Sequence, residues 1–267
     1  MIISGFTALV ASLLYIFVSL LIWRKIRFVE KLEPNYQRKR ILVIAGAASL
    51  LHLVSLSQTL WQGYFVFNFA NALSMIALLG SFILLYLNRR MACETLGIFI
   101  YPLAALVTLL PIGFNEHIQM PLELGSHVLI SIAAYSILGI AAAQAILYSI
   151  QEKRFRKRQL SNLMRALPPL QQMENLMIKL VLIGFVFLSF ALVSGVFFVE
   201  DLFAQHLIHK TFFAFLSWFV YGWFIIGHYR AGWRGQKAVR YIIWAYVLLI
   251  LSFIGTEIVL SLMGING

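Results

Sequence analysis

Eight apolar runs divide the chain, near residues 3–23, 41–60, 65–87, 93–111, 126–149, 176–198, 208–228 and 239–262. Each is about 20 residues long, the length an α-helix needs to cross a bilayer core of roughly 30 Å. None alternates apolar and polar residues with period two, so barrel strands are excluded and the backbone polar groups must be satisfied inside helices. The pattern predicts an all-α fold: a polytopic membrane bundle of about eight transmembrane helices, with residues 1–267 forming a single membrane domain. Only Thr59 to Tyr64 separate the second run from the third, which predicts a tight hairpin, and the third run carries Asn68 and Asn71 at helical spacing. The longest polar connection, Gln151 to Asn175, is expected to begin as a basic extension of helix five. It then breaks at Pro168-Pro169, which cannot continue a helix, to form a solvated hairpin.

The charges orient this bundle. Seven Lys and Arg precede residue 41, two stand at Arg89 and Arg90, seven lie between Lys153 and Lys179, and four between Arg230 and Arg240, leaving Lys210 as the exception among 21. All these clusters follow odd-numbered helices, so the excess of Lys and Arg in inner loops predicts that both termini lie outside, in the periplasm. Glu116, Glu123, Glu200 and Asp201 then fall in outer loops.

Composition removes several function classes. The chain is 61% apolar and 12% charged, which excludes a water-soluble domain of this size. Its formal net charge of +11 is scattered in short inter-helix clusters, not on one accessible patch, so nucleic acid is not the expected partner. The lone Cys93 permits no intrachain disulfide, redox pair or covalent haem attachment motif. Arg24, Lys25 and Arg27 follow the first run, the reverse of a signal peptide, so that run is expected to stay as helix one.

Polar residues inside spans are costly and need a partner, a cavity or a ligand. His52 falls within helix two, His127 at the outer start of helix five and His228 at the inner end of helix seven, while His117, His206 and His209 lie in or beside outer loops. A neutral imidazole can be buried and its free nitrogen can ligate haem iron; packing is the ordinary alternative for any one of them. Cation transport would leave carboxylates within the helices, and Glu257 is the one candidate. Lys179 is expected to snorkel to the inner surface and Gln144 to bond a neighbouring helix. Trp23, Trp61, Tyr64, Tyr229 and Trp233 sit near helix ends, as belt aromatics do. Trp218 and Trp223 lie deeper, but five residues apart they share no helical face well, so only one can line a pocket.

The second half resembles the cytochrome c assembly superfamily of haem-handling membrane proteins, of CcsA and CcmC type, and most closely its HemX/YpjD-like branch. The resemblance rests on Gly125-Ser126-His127-Val128 with Ala134-Tyr135-Ser136; on Glu174-Asn175-Leu176 through Gly184 to Ser194-Gly195; and on Leu216-Ser217-Trp218-Phe219-Val220-Tyr221, His228 and Gly232-Trp233-Arg234-Gly235. A looser match runs through Leu51-His52, Trp61-Gln62-Gly63 and Asn68. The similarity spans about residues 45–260 and is dense from 125 to 257. The cytochrome-assembly members carry a Trp-rich outer signature that presents haem to a partner. Here that stretch, Glu200 to Thr211, contains neither Trp nor Pro, and no histidine follows Glu257.

By resemblance, His52 and His228 would be the two axial ligands of a non-covalent b-type haem in the membrane, with His127, Trp218, Arg230 and Arg234 as further cofactor contacts. At about 1.5 Å per residue, His52 lies roughly 16 Å from the inner basic cluster and His228 near the inner surface. Equal depth therefore requires helix seven to extend through Tyr229 to Trp233, or helix two to start lower. The leading expectation is a bacterial inner-membrane, multi-pass protein that binds haem b and moves or senses it without bond-making on a substrate, so not an enzyme. In that reading His127 and the His206/His209 loop form an outer port, and Arg230, Arg234 and Lys237 attract the propionates. Its partners are lipid, haem and another membrane or haem-pathway protein. The alternatives are a cofactor-free regulator or scaffold that contacts a haem-synthesis enzyme through the 151–175 loop, and a divalent-cation transporter using Glu257, His206 and His209.

Overall fold

The structure is a computed structural model that describes residues 2–27, 34–60, 66–113, 118–119, 122–158, 167–198 and 208–262. Its long helices are α1 (Ile2–Arg27), α2 (Pro34–Leu60), α3 (Phe69–Arg90), α4 (Gly97–Val107), α6 (Leu122–Arg156), α7 (Leu170–Phe198), α8 (Ile208–Ala231) and α9 (Gly235–Leu262); α5 (Leu110–Gly113) is a single turn that prolongs α4. Among the described residues, eight helical stretches are long and apolar enough to cross a membrane, one for each apolar run. The all-helical polytopic expectation therefore holds.

Most helices overrun their apolar stretch into the adjoining charges. The last turn of α1 holds Arg24, Lys25 and Arg27, that of α3 holds Arg89 and Arg90, that of α6 holds Lys153, Arg154 and Arg156, and that of α8 holds His228 and Arg230. Cations at a helix C-terminus oppose the negative end of the macrodipole, so these charges stabilise the helix ends. Pro34 opens α2, where its missing N–H and fixed φ cost nothing.

In the 151–175 connection the helix of the fifth run extends to Arg156 and the next begins at Leu170, directly after Pro168-Pro169, as expected, while residues 159–166 lie outside the described residues. Two local expectations are corrected. Asn68 is not within α3: it is the N-cap, in an extended conformation, and its Oδ1 accepts from the Asn71 N–H at 2.8 Å. Val66–Phe67 (β1) also pairs antiparallel with Ile118–Gln119 (β2), a two-residue ladder too short to leave a pattern in the sequence.

The chain divides into two compact units, residues 1–121 with 153–170, and residues 122–152 with 171–267. In the first unit α1 packs on α2 and α4, and α3 on α2 and α4. Small side chains, Ala8 and Ala11 on α1, Ala45 and Ala48 on α2, Ala104 on α4, are fully buried, which lets the helices approach closely. Ser12 Oγ donates to the Ala105 carbonyl at 2.8 Å. At the basic end Lys25 pairs with the buried Glu94 carboxylate, whose other oxygen lies 3.8 Å from Arg38 Nε, and Arg38 also donates to the carbonyls of Asn88 and Met91.

In the second unit the buried Gln144 on α6 donates to the Met173 carbonyl on α7 at 3.1 Å, the interhelical bond expected of it. Gly184 on α7 lies under Leu138 of α6, where a methyl group would collide. Ser217 on α8 donates to the Ala245 carbonyl on α9 at 2.7 Å. Lys179 lies more than two turns inside α7, exposed, because the helix begins at Leu170 and not near residue 176.

Candidate functional site

The second unit builds a site at the junction of α8 and α9. The chain leaves α8 at Ala231 and re-enters helix at Gly235 through Gly232, Trp233 and Arg234. Gly232 and Gly235 have φ of +63° and +61°, a left-handed conformation that only glycine adopts without strain. This turn folds back on α8: Trp233 N–H donates to the Gly227 carbonyl at 3.2 Å, and the Trp233 ring lies so close over Gly227 that a Cβ there would collide with it.

The result is a fixed imidazole. His228 Nδ1 lies 2.8 Å from the Trp233 carbonyl oxygen. A carbonyl only accepts, so Nδ1 carries the proton and Nε2 keeps its lone pair, the arrangement typical of a ligating histidine held by its outer-shell partner. The ring is half-buried, tilted against Phe224 at 6.0 Å and edge-on to Tyr229 at 5.1 Å.

Beside it, Trp233 stacks on Tyr241 at 4.9 Å, and the Lys237 ammonium lies 3.7 Å from the Trp233 ring centroid. Lys237, Arg240, Tyr241 and Trp244 line a concavity of about 430 Å³. Two carboxylates brace the turn from below: Glu174 accepts the Gly235 N–H at 3.0 Å, and Glu152 accepts from Gln236 Nε2 at 2.8 Å. Arg230 and Arg234 are exposed beside the turn. Arg240, Tyr241 and the bracing role of Glu174 escape a sequence reading, although Glu174 stands in a segment that carries the family resemblance.

His127 belongs to the same unit but to the far end of its helices, near the start of α6. Its Nδ1 lies 3.0 Å from Ser194 Oγ on α7, and Gly195 lets the ring approach, since a Cβ there would stand 3.1 Å from His127 Cε1. Trp218, half-buried on α8, donates Nε1–H to Ser189 Oγ at 2.8 Å and stacks on Phe185 at 5.5 Å, while Trp223 is half exposed. One of the two tryptophans is thus held inward, as their spacing requires.

His52 lies in the first unit, 1% exposed, in a polar core. Its Nε2 is 2.7 Å from Ser74 Oγ and its Nδ1 is 3.4 Å from the Tyr15 hydroxyl, which donates to Ser49 Oγ at 3.2 Å. Both ring nitrogens are engaged, so an axial bond from either displaces an existing partner. Along α2, His52 is twelve residues beyond Arg40, and along α8, His228 is two residues short of Arg230. His52 thus lies well inside α2, and His228 lies in the last turn of α8. The structure bears on haem unequally at the two histidines: the donor set at His228 fits an iron-ligating imidazole, whereas that at His52 fits hydrogen-bonded packing.

Among the described residues no group of three or more His, Cys, Asp or Glu side chains converges as a metal site. His206 lies outside the described residues, and the side chains of His209 and Glu257 are not described, so the cation-transport residues fall beyond this geometry.

Comparison with known proteins adds a family to this geometry. The sequence model described as "Cytochrome C assembly protein" matches residues 6–263. The chain is 31% identical over 158 residues to the inner membrane protein YpjD of Escherichia coli strain K12, which covers 59% of this chain and 60% of that protein. It is 30% identical over 135 residues to a 28.8 kDa protein of Azospirillum brasilense, half of each chain. It is 23% identical over 132 residues to Protein HemX of Brevibacillus brevis, covering 49% of this chain and 48% of that one. The matched part therefore spans about 60% or less of the length of these relatives. No solved structure matches.

Proposed function

Because this chain belongs to the cytochrome c assembly protein family, we propose that it is a haem-handling protein of the bacterial inner membrane, with both termini on the periplasmic side. It binds a non-covalent b-type haem through His228 Nε2 and moves or senses it without making or breaking substrate bonds. The inner-membrane location is supported by the printed name of the Escherichia coli relative together with the eight spans. The orientation is supported by the basic C-termini of α1, α3, α6 and α8.

One observation supports the haem reading above the rest: the Trp233 carbonyl accepts the His228 Nδ1–H at 2.8 Å, which leaves the Nε2 lone pair for a metal. Haem iron takes one or two imidazoles as axial ligands, and the environment of the ring tunes the metal. The residues of this chain then have separable tasks. Trp233 orients the imidazole, Gly227, Gly232 and Gly235 allow the turn that brings Trp233 back, and Lys237, Arg240, Arg230 and Arg234 supply cations for carboxylates, Arg in planar bidentate geometry. Trp218, stacked on Phe185 and bonded to Ser189, holds α8 against α7 as a positioning residue. His127, with Ser194, serves as the outer port in this reading.

The experiment is an optical spectrum of the purified protein, oxidised and dithionite-reduced, beside His228→Ala and His52→Ala. Haem b bands that vanish in His228→Ala and persist in His52→Ala support ligation by His228 with His52 as a packing residue. Loss in both restores His52 as the second axial ligand. A colourless wild type that takes up no added haemin overturns the haem reading.

A second reading draws on the exposed end of α6, where Phe155 is 61% exposed among Lys153, Arg156, Lys157 and Arg158. An apolar ring in a basic surface suits a docking segment for a haem-pathway protein, in a scaffold that needs no cofactor. Wild-type behaviour after His228→Ala, with loss on Phe155→Ser, would select it.

A further inference from the structure

In the first unit a cavity of about 120 Å³ opens between the basic ends of α1 and α2, lined by Arg24 and Lys25 of the first helix and Tyr36, Gln37 and Arg40 of the second, over Ile41. We propose that it binds the phosphodiester headgroup of an anionic phospholipid, whose acyl chains follow the exposed Phe17, Leu20 and Val43 into the bilayer.

Three features of the cavity carry this. The first is charge: three cations line it, and among the described residues that line it none is acidic. The Lys25 ammonium is already paired with the buried Glu94 carboxylate, so the two guanidinium groups carry the attraction. Arg24 and Arg40 supply guanidinium groups suited to bidentate pairing with phosphate oxygens, and the Tyr36 phenol and Gln37 amide add neutral donors.

The second feature is size. At about 120 Å³ the cavity is a small cleft between two helix ends, on the scale of a phosphodiester headgroup. The third is amphipathic continuity. The Arg40 guanidinium carbon lies 6.0 Å from the Phe17 ring centroid, so the Arg40 side chain crosses the rim where polar lining gives way to apolar surface. Beyond it Phe17, Leu20 and Val43 are 41%, 55% and 62% exposed. A free phosphate would use the cations and leave that surface without a role; a phospholipid uses both. Basic pockets between transmembrane helices at this level are recurrent headgroup sites.

The test is native mass spectrometry of the full chain in detergent, titrated with phosphatidylglycerol, with phosphatidylethanolamine of the same acyl chains, and with inorganic phosphate. Phosphatidylglycerol should be retained at the expense of phosphatidylethanolamine. The Arg24→Gln/Arg40→Gln double variant should weaken that retention about thirtyfold, and Arg156→Gln/Lys157→Gln on α6 should leave it unchanged. Arg40→Lys, which keeps the charge and loses the planar fork, serves if the double variant does not fold, and should weaken binding several-fold. Equal retention of the two lipids, unchanged retention in the double variant and in Arg40→Lys, or displacement of the lipid by millimolar inorganic phosphate would each overturn the assignment.

Discussion

The carbonyl oxygen of Trp233 lies 2.8 Å from Nδ1 of His228, five residues back along the chain. A histidine at a helix end is ordinarily free to change rotamer, and this bond removes that freedom because the turn carrying Trp233 is itself pinned to Gly227. Gly227→Ala places a methyl group where the Trp233 ring now sits. Overpacking of this kind costs about 1–3 kcal/mol. The turn is therefore expected to lift, lowering the thermal midpoint in detergent and weakening haemin uptake together, while Gly222→Ala on the same helix, where a Cβ meets only ordinary contacts with Phe185, should change little.

Glu174 supports the same turn from α7 by accepting the Gly235 N–H at 3.0 Å. Glu174→Gln keeps a carbonyl acceptor, so its effect should stay within about 1 kcal/mol. Glu174→Leu leaves the N–H without that partner, a loss of about 1–3 kcal/mol. Paired thermal melts check this, and equal behaviour of the two variants would show that the bond does not brace the turn.

Much of this fold is legible in the sequence because hydropathy and charge act over whole helices: eight runs give eight spans, and the basic clusters coincide with the C-termini of α1, α3, α6 and α8. The motifs that carry the family resemblance are also legible, and the structure shows what pairs them, Ser194-Gly195 against His127 and Glu174 against Gly235. The partners of His52 were not legible. Ser74 and Tyr15 are ordinary members of their apolar runs, and no periodicity ties a serine to a histidine 22 positions away. The β1–β2 ladder was silent for a different reason, since two residues per strand set no pattern.

The polar core around His52 makes a stability prediction distinct from the haem test. His52→Ala opens a cavity and strips Ser74 and Tyr15 of a shared partner in surroundings with little water. Together these are expected to cost about 2–5 kcal/mol. His52→Gln, which can bond one neighbour, should recover part of the loss. Thermal melts of the two variants decide it, and a His52→Ala midpoint equal to wild type would mean that the ring is not a packing element.

Cys93 lies in the turn between α3 and α4, outside the spans, buried beside Glu94. Burial pushes its thiol up to about 11, the Glu94 carboxylate adds to the rise and Arg38 opposes it. The thiolate is the reactive form, so at pH 8 its population falls about a hundredfold below that of a thiol at the ordinary 9.0. Maleimide labelling of the folded protein should be correspondingly slow and should accelerate about tenfold per pH unit up to about pH 11. Glu94→Gln removes the carboxylate while leaving Lys25 and Arg38 in place, which lowers the thiol's pKa and should speed labelling at pH 8. Labelling that instead stays flat with pH would mean that access through local opening, and not thiolate population, limits the rate, and Glu94→Gln would then act only as far as it loosens the Lys25, Arg38 and Glu94 cluster.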